Sequence, residues 1–188
     1  MVLTGPEILR QMNASAIHIA PFVPGHLGPN SYDVTLNPTL LVYDLAPGQV
    51  LDMKKNNPTR ALSIPEEGLV LTPGTLYIGC SNETATSRKF VPMFEGRSSI
   101  GRLGINTHIT AGFGDVGWGY TPDENGELQC QYPTWTLEIE VVLPIRVYPN
   151  VRIGQVYFIV PDGELSFYKG KYTSQKTPQA SQLYKDFQ

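Results

Sequence analysis

Apolar residues in this chain come in runs too short for a helix of several turns. AIHIAPF, SYDVTL, LLVYDL, GLVLTPG, TLYIGC, WTLEIEVVLPI and IGQVYFIV are parted by turn residues, and 18 glycines and 16 prolines punctuate the 188 residues. Proline neither continues a helix nor donates to a strand ladder, and glycine weakens both, so punctuation this dense favours short strands joined by turns. Ser31 to Leu36 and Trp135 to Val141 alternate apolar with polar residues, the period of a strand with one buried face. Gly68 and Gly74 bracket one strand, while Pro47-Gly48, Pro73-Gly74 and Asp162-Gly163 mark tight turns. The expected fold is mainly β, with the rhythm of a barrel or jelly roll.

One helix is expected. Thr4-Gly-Pro-Glu7 has a capping threonine, a first-turn proline and a glutamate three residues after the cap, so a short helix should run to about Met12. Ile8 and Leu9 would dock it on a sheet. Met53 to Pro65 and Thr121 to Thr134 read as loops, the second carrying the turn signal Asp-Glu-Asn-Gly. The length suits one domain, residues 1–163, followed by a polar arm or flap, 164–188, carrying Lys169, Lys171, Lys176 and Lys185.

The net charge of -3, from 14 basic and 17 acidic residues, argues against binding a nucleic-acid polymer by counterion release. A compact anion needs only a few converging cations. Cys80 and Cys130 are the only cysteines, too few for a disulfide-stapled scaffold, so reduced thiols in a cytoplasm are expected. The start MVLTGPEILRQM has no basic n-region, and no apolar run reaches membrane length. Neither secretion nor a membrane is expected.

Within EGRSSIGRLGINTHITAG, Arg97 and Arg102 stand five residues apart with no acidic neighbour at pairing distance along the segment. Gly96, Gly101 and Gly104 allow tight bends, while Arg97, Ser98, Ser99 and Arg102 supply donors suited to phosphate oxygens. The alternative is a turn whose arginines lie in solvent. Glu138 and Glu140 share one face of a strand, opposite Trp135, Leu137, Ile139 and Val141; pattern alone would leave both in solvent. His108 has no acidic orienter near it in sequence and reads as structural. Trp118 and Trp135 read as core or interface anchors.

GRSSIGRLG, HITAG, DVGWG, TLE, IGQ and GKYTSQ follow one another in an order that resembles the dCTP deaminase branch of the trimeric dUTPase-like superfamily, as do Asn30 to Leu36 and Leu71 to Tyr77. The resemblance implies a distorted β-barrel or jelly roll of the β-clip type, a homotrimer or a hexamer of two trimers, and sites shared between subunits. It implies deamination of dCTP to dUTP and ammonia without zinc, in agreement with the missing H-x-E and P-C-x-x-C signature. Glu138 would serve as general acid and base. Ser98 and the Ala111 carbonyl would position water, and Arg102 would steady the charged intermediate. The nucleotide would lie against Arg97, Ser98, Ser99, Ile100, Gly101 and Arg102, with Asp115 under the deoxyribose and Thr136, Leu137 and Glu138 beside it. Tyr168, Lys171 and Gln175 would close over the phosphates, whose charge Mg2+ would partly neutralise. dTTP would act as a competing inhibitor, and the setting would be a cytoplasm, the host's if the source is viral.

The chain also departs from the family pattern. Thr121 to Thr134 is inserted between GWG and TLE, Gly114 stands where a branched apolar residue is usual, Val116 replaces a proline, and Val141 an asparagine. The inserted segment could lean over the site or the next subunit. Two other functions stay open on the sequence: a dUTPase or bifunctional enzyme releasing dUMP and pyrophosphate, with Asp115 activating water, and a non-catalytic nucleotide-binding module.

Overall fold

A computed structural model describes residues 1–188. Helix α1 spans Gly5–Asn13 with proline in its first turn. Thr4 precedes it in extended conformation, but its side chain caps no amide. The reciprocal box fails because Glu7 is engaged elsewhere, accepting from Arg10 at 2.6 and 2.8 Å and from Gln11 at 2.7 Å. Ile8 is fully buried, whereas Leu9 is 40% exposed. The helical period turns position 9 off the face that carries 8 and 11, so Gln11 takes the place expected of Leu9.

Fourteen strands follow: β1 (Ile17–Ala20), β2 (Tyr32–Thr35), β3 (Thr39–Tyr43), β4 (Thr59–Ser63), β5 (Leu69–Leu71), β6 (Tyr77–Cys80), β7 (Thr84–Ser87), β8 (Val91–Gly96), β9 (Ile105–His108), β10 (Tyr120–Pro122), β11 (Leu128–Cys130), β12 (Thr136–Val141), β13 (Ile145–Val147) and β14 (Arg152–Ile159). A second helix, α2 (Ser98–Gly101), makes one turn between β8 and β9. The largest sheet has the order β4-β3-β6-β12-β9, a second has β2-β14-β8, and three strand pairs, β1-β7, β5-β13 and β10-β11, complete the set. The sheets do not close into one continuous barrel. The fold is a distorted, mainly β arrangement around one core.

Two expected loops contain strands. β4 lies inside Met53 to Pro65 and pairs with β3 from Thr39↔Ser63 to Tyr43↔Thr59. It is an edge strand exposed along most of its length, so it lacks the apolar alternation that marks a half-buried strand. Thr121 to Thr134 supplies most of the β10-β11 hairpin, Tyr120↔Cys130 to Pro122↔Leu128, around the Asp-Glu-Asn-Gly turn.

β12 positions the site. It lies between β6 and β9, with Glu138 opposite Ile78 on one side and His108 on the other. Leu137, Ile139 and Val141 point into the core at 0, 1 and 6% exposure, each stabilising the fold by roughly 1.5–3 kcal/mol. The alternation then obliges Glu138 and Glu140 to face outward. No helix is long and apolar enough to cross a membrane.

Candidate active site

A cleft of about 520 Å3 opens on the outward face of β12, within the usual range for a small-molecule site. Trp118 and Trp135 form its floor, with ring centroids 4.7 Å apart and planes at 53°. Both indoles are core residues, as their sequence context suggests, and each shows an edge to the cleft. Ile78, Ile109 and Phe113 add apolar walls, while Thr110, Asp115, Thr136 and Glu138 add polar groups.

Glu138 is held by one oxygen. Its Oε2 accepts from the Thr110 amide at 2.7 Å and the Thr110 hydroxyl at 2.9 Å, and lies 3.2 Å from His108 Nδ1. Its Oε1 has no protein partner. An acid/base group needs that combination: one oxygen fixed by neighbours, the other free to take and return a proton. His108 therefore does have an acidic neighbour, contrary to the expectation from sequence. The antiparallel register of β9 on β12 creates the contact between residues 30 positions apart, a separation that local sequence does not reveal. Thr136 lines the cleft, and its Oγ1 is buried without a hydrogen-bond partner.

The structure separates the other expected group from this cleft. None of Arg97, Ser98, Ser99, Ile100, Gly101 and Arg102 lines it. α2 leads into β9 at Ile105, which pairs with Val141, whereas Glu138 faces His108 at the other end of that strand. Arg97 Nε sits 3.1 Å from Asp33 Oδ2, an oxygen that also receives Arg152 at 3.2 Å. The acid absent from the local segment is thus supplied by β2. Arg102, Ser98 and Ser99 are exposed, and Ile100 is buried at 8%. Leu137 turns its side chain into the core, leaving only its backbone toward the cleft side.

The tail reaches the cleft. Tyr168 and Gln175 line it together with Tyr172, Gln179 and Ser181, and so do Ala111 and Asp115. Lys171 does not line it; its ammonium pairs with Asp186. Tyr168 N donates to Val116 O at 3.0 Å, and Trp118 Nε1 donates to Tyr172 O at 3.0 Å. Thr134 and Gln175 exchange two bonds, Thr134 N to Gln175 O at 2.9 Å and Gln175 Nε2 to Thr134 O at 3.0 Å.

The sequence profile of the dCTP deaminase-like family matches residues 2–160. This chain belongs to the dCTP deaminase-like family. It is 48% identical to a Clostridium beijerinckii protein named "dCTP deaminase, dUMP-forming", over 100% of this chain and 99% of that one. A Leptospira biflexa protein of the same name is 50% identical with the same coverage. The crystal structure of 2'-deoxycytidine 5'-triphosphate deaminase from Agrobacterium tumefaciens superposes with a TM-score of 0.57 at 21% identity, covering 85% of this chain and 48% of that one. That likeness concerns the fold.

Two departures of this dCTP deaminase-like chain from the family pattern now have a physical setting. A Cβ at Gly114 would lie 3.0 Å from Trp135 Cη2 and 3.2 Å from Pro92 Cγ, so the indole floor occupies the space a branched residue would need. The inserted hairpin does not line the cleft. It leans the other way, with Tyr132 edge-on to His18 of β1 at 4.8 Å. Sequence reading missed Tyr172, Gln179, Ser181 and Phe113 as cleft residues. A tail with three tyrosines among polar residues, Tyr168, Tyr172 and Tyr184, is the signal that could have indicated docking.

Proposed function

We propose that this chain deaminates dCTP and carries the product on to dUMP, pyrophosphate and ammonia, consuming two waters. The observation that carries the reading is Glu138, anchored through Oε2 and open at Oε1 on the cleft. Glu138 would take a proton from the water that attacks C4 of cytosine and pass it to ring N3, then take the hydroxyl proton of the adduct and pass it to the departing ammonia. Thr110 and His108 hold the carboxylate in place during that cycle. The Ala111 carbonyl, at the same cleft, would help orient water.

Ser98 and Arg102 complete this scheme only from a second copy, since neither reaches the cleft of its own chain. A homotrimer, or a hexamer of two trimers, is the assembly proposed on that ground, with Arg97, Ser98 and Ser99 brought against the phosphates of a neighbour's nucleotide. Arg102 would there offset charge developing on the ring.

Two things favour dUMP over dUTP as the final product. The close relatives bear the name "dUMP-forming", and Asp115 borders the same cleft as Glu138, where it would activate a second water for attack on the α-phosphate. Magnesium bound with the triphosphate would offset phosphate charge. No three His, Cys, Asp or Glu side chains converge to hold a metal, so that ion's oxygens would come from phosphate and water. dTTP would compete for the same cleft, and the proposed setting is cytoplasmic.

The test is incubation of the purified protein with Mg2+ and dCTP, followed by ion-exchange chromatography and an ammonia assay. The expected products are ammonia, dUMP and pyrophosphate. Accumulation of dUTP would remove the second step, and absence of ammonia would overturn the deaminase reading.

A further inference from the structure

The inserted hairpin stands between the two places where the tail is fastened. The first is the turn Val116–Trp118, which receives Tyr168 N and donates the Trp118 indole N–H to Tyr172 O. Gly117 in that turn has φ +78°, and a Cβ there would fall 2.4 Å from the Phe167 ring, so the aromatic side chain lies directly on the backbone. The second is Thr134, bonded twice to Gln175. Tyr168, Tyr172 and Gln175, the residues so held, are three of the cleft's tail-side walls.

The base of the hairpin ties these two stations together. Gln131 N donates to Gly119 O at 2.7 Å. Gly119, at φ +83°, lies so close to Pro133 that a Cβ would approach Pro133 Cγ to 2.3 Å. Gln131 Nε2 also donates to Thr121 Oγ1 at 2.7 Å. Thr134 in turn stands two residues before β12, whose Glu138 faces the cleft. The hairpin base therefore connects β12 to the Val116–Trp118 turn.

We propose that the β10-β11 hairpin is a positioning element. Through its closed base at Gly119, Gln131 and Pro133 it sets the spacing of the two stations on which the tail docks. It thereby fixes where Tyr168, Tyr172 and Gln175 stand relative to Glu138. The consequence for catalysis rests on the function proposed above; the consequence for tail docking does not.

Hydrogen exchange of the whole unliganded protein, read by mass spectrometry over peptides from the tail and from β12, tests this directly. Trp118→Phe keeps an aromatic ring and removes one docking donor, and should speed exchange of the 167–176 segment about fivefold. Gly119→Ala forces Pro133 from the base and should speed it at least as much, with β12 protection unchanged. Deleting Glu124–Gly126 at the tip leaves the base closed and should leave tail exchange as in the native protein. With dCTP, the first two variants should raise KM about fivefold with kcat within about twofold, as expected for lost binding-site order. Native tail exchange in Gly119→Ala would overturn the proposal, as would accelerated exchange in the tip deletion. If Gly119→Ala does not fold, Thr121→Val, which removes the Gln131 side-chain bond at the base, takes its place and should speed tail exchange in the same direction. Should the protein prove inactive on dCTP, the exchange result still stands by itself.

Discussion

Glu138 and Arg102 are supplied very differently by the single chain. Around Glu138 the strand register brings His108 and Thr110 to one carboxylate oxygen, a cleft opens at the other, and the chain's own tail covers the far side. Around Arg102 there are donors and little else: the side chain is exposed, stands outside the Glu138 cleft and has no acidic partner, while its neighbour Arg97 is already paired with Asp33. A carboxylate can be preorganised by the sheet it belongs to, because backbone pairing fixes its neighbours. A cation at the end of a one-turn helix gains an environment only when another surface arrives. Under the proposed function, the two regions meet across a subunit boundary.

The sharpest way to break that comparison is at Glu138 itself. Glu138→Gln preserves shape but cannot cycle a proton, and should lower ammonia release by about 10²–10⁴-fold, as read by single-turnover assay with dCTP binding retained. A drop below tenfold would remove Glu138 from the acid/base role. Next comes the boundary. Glu138→Gln and Arg102→Ala should each be inactive alone, yet co-refolded in equal amounts they should recover about a quarter of native activity, because random cyclic assembly pairs one intact half with the other at that frequency. No recovery would place both residues in one chain's site.

Thr110→Val probes how much the anchored oxygen matters. It removes the 2.9 Å hydroxyl bond and leaves the amide bond, so kcat should fall about tenfold, the range of one hydrogen bond to a charged group. An unchanged kcat would mean the amide and His108 suffice. The smallest effect concerns the rigidity of the β6-β12 side. Burial pushes the Cys80 thiol up to about 11 and raises Cys130 as well. Both are therefore protonated and slow toward iodoacetamide at pH 8. Partly exposed Cys130 should label first and Cys80 only on unfolding; early labelling of Cys80 would show that the sheet beside Glu138 opens.

Local signals were legible. The alternation of Trp135 to Val141 foretold which residues of β12 enter the core, and therefore that Glu138 faces out. The turn at Asp-Glu-Asn-Gly and the proline-started helix were also readable. What stayed hidden lacked a local cause. β4 carries no apolar alternation because both its faces are largely exposed, and its pairing with β3 makes it a strand. Leu9 and Gln11 exchanged roles because a helix's buried face is chosen by what it packs on.

The sequence by itself determined the class of fold, the family, and the supply of donors and carboxylates, since turn chemistry, side-chain period and motif order are properties of neighbouring residues. Only the tertiary structure decided which groups meet: His108 with Glu138, Arg97 with Asp33, Trp118 with the tail. The first follows from strand register, where a shift of one residue would turn the side chains to the opposite face; the other two follow from how the segments outside the strands dock on the sheets.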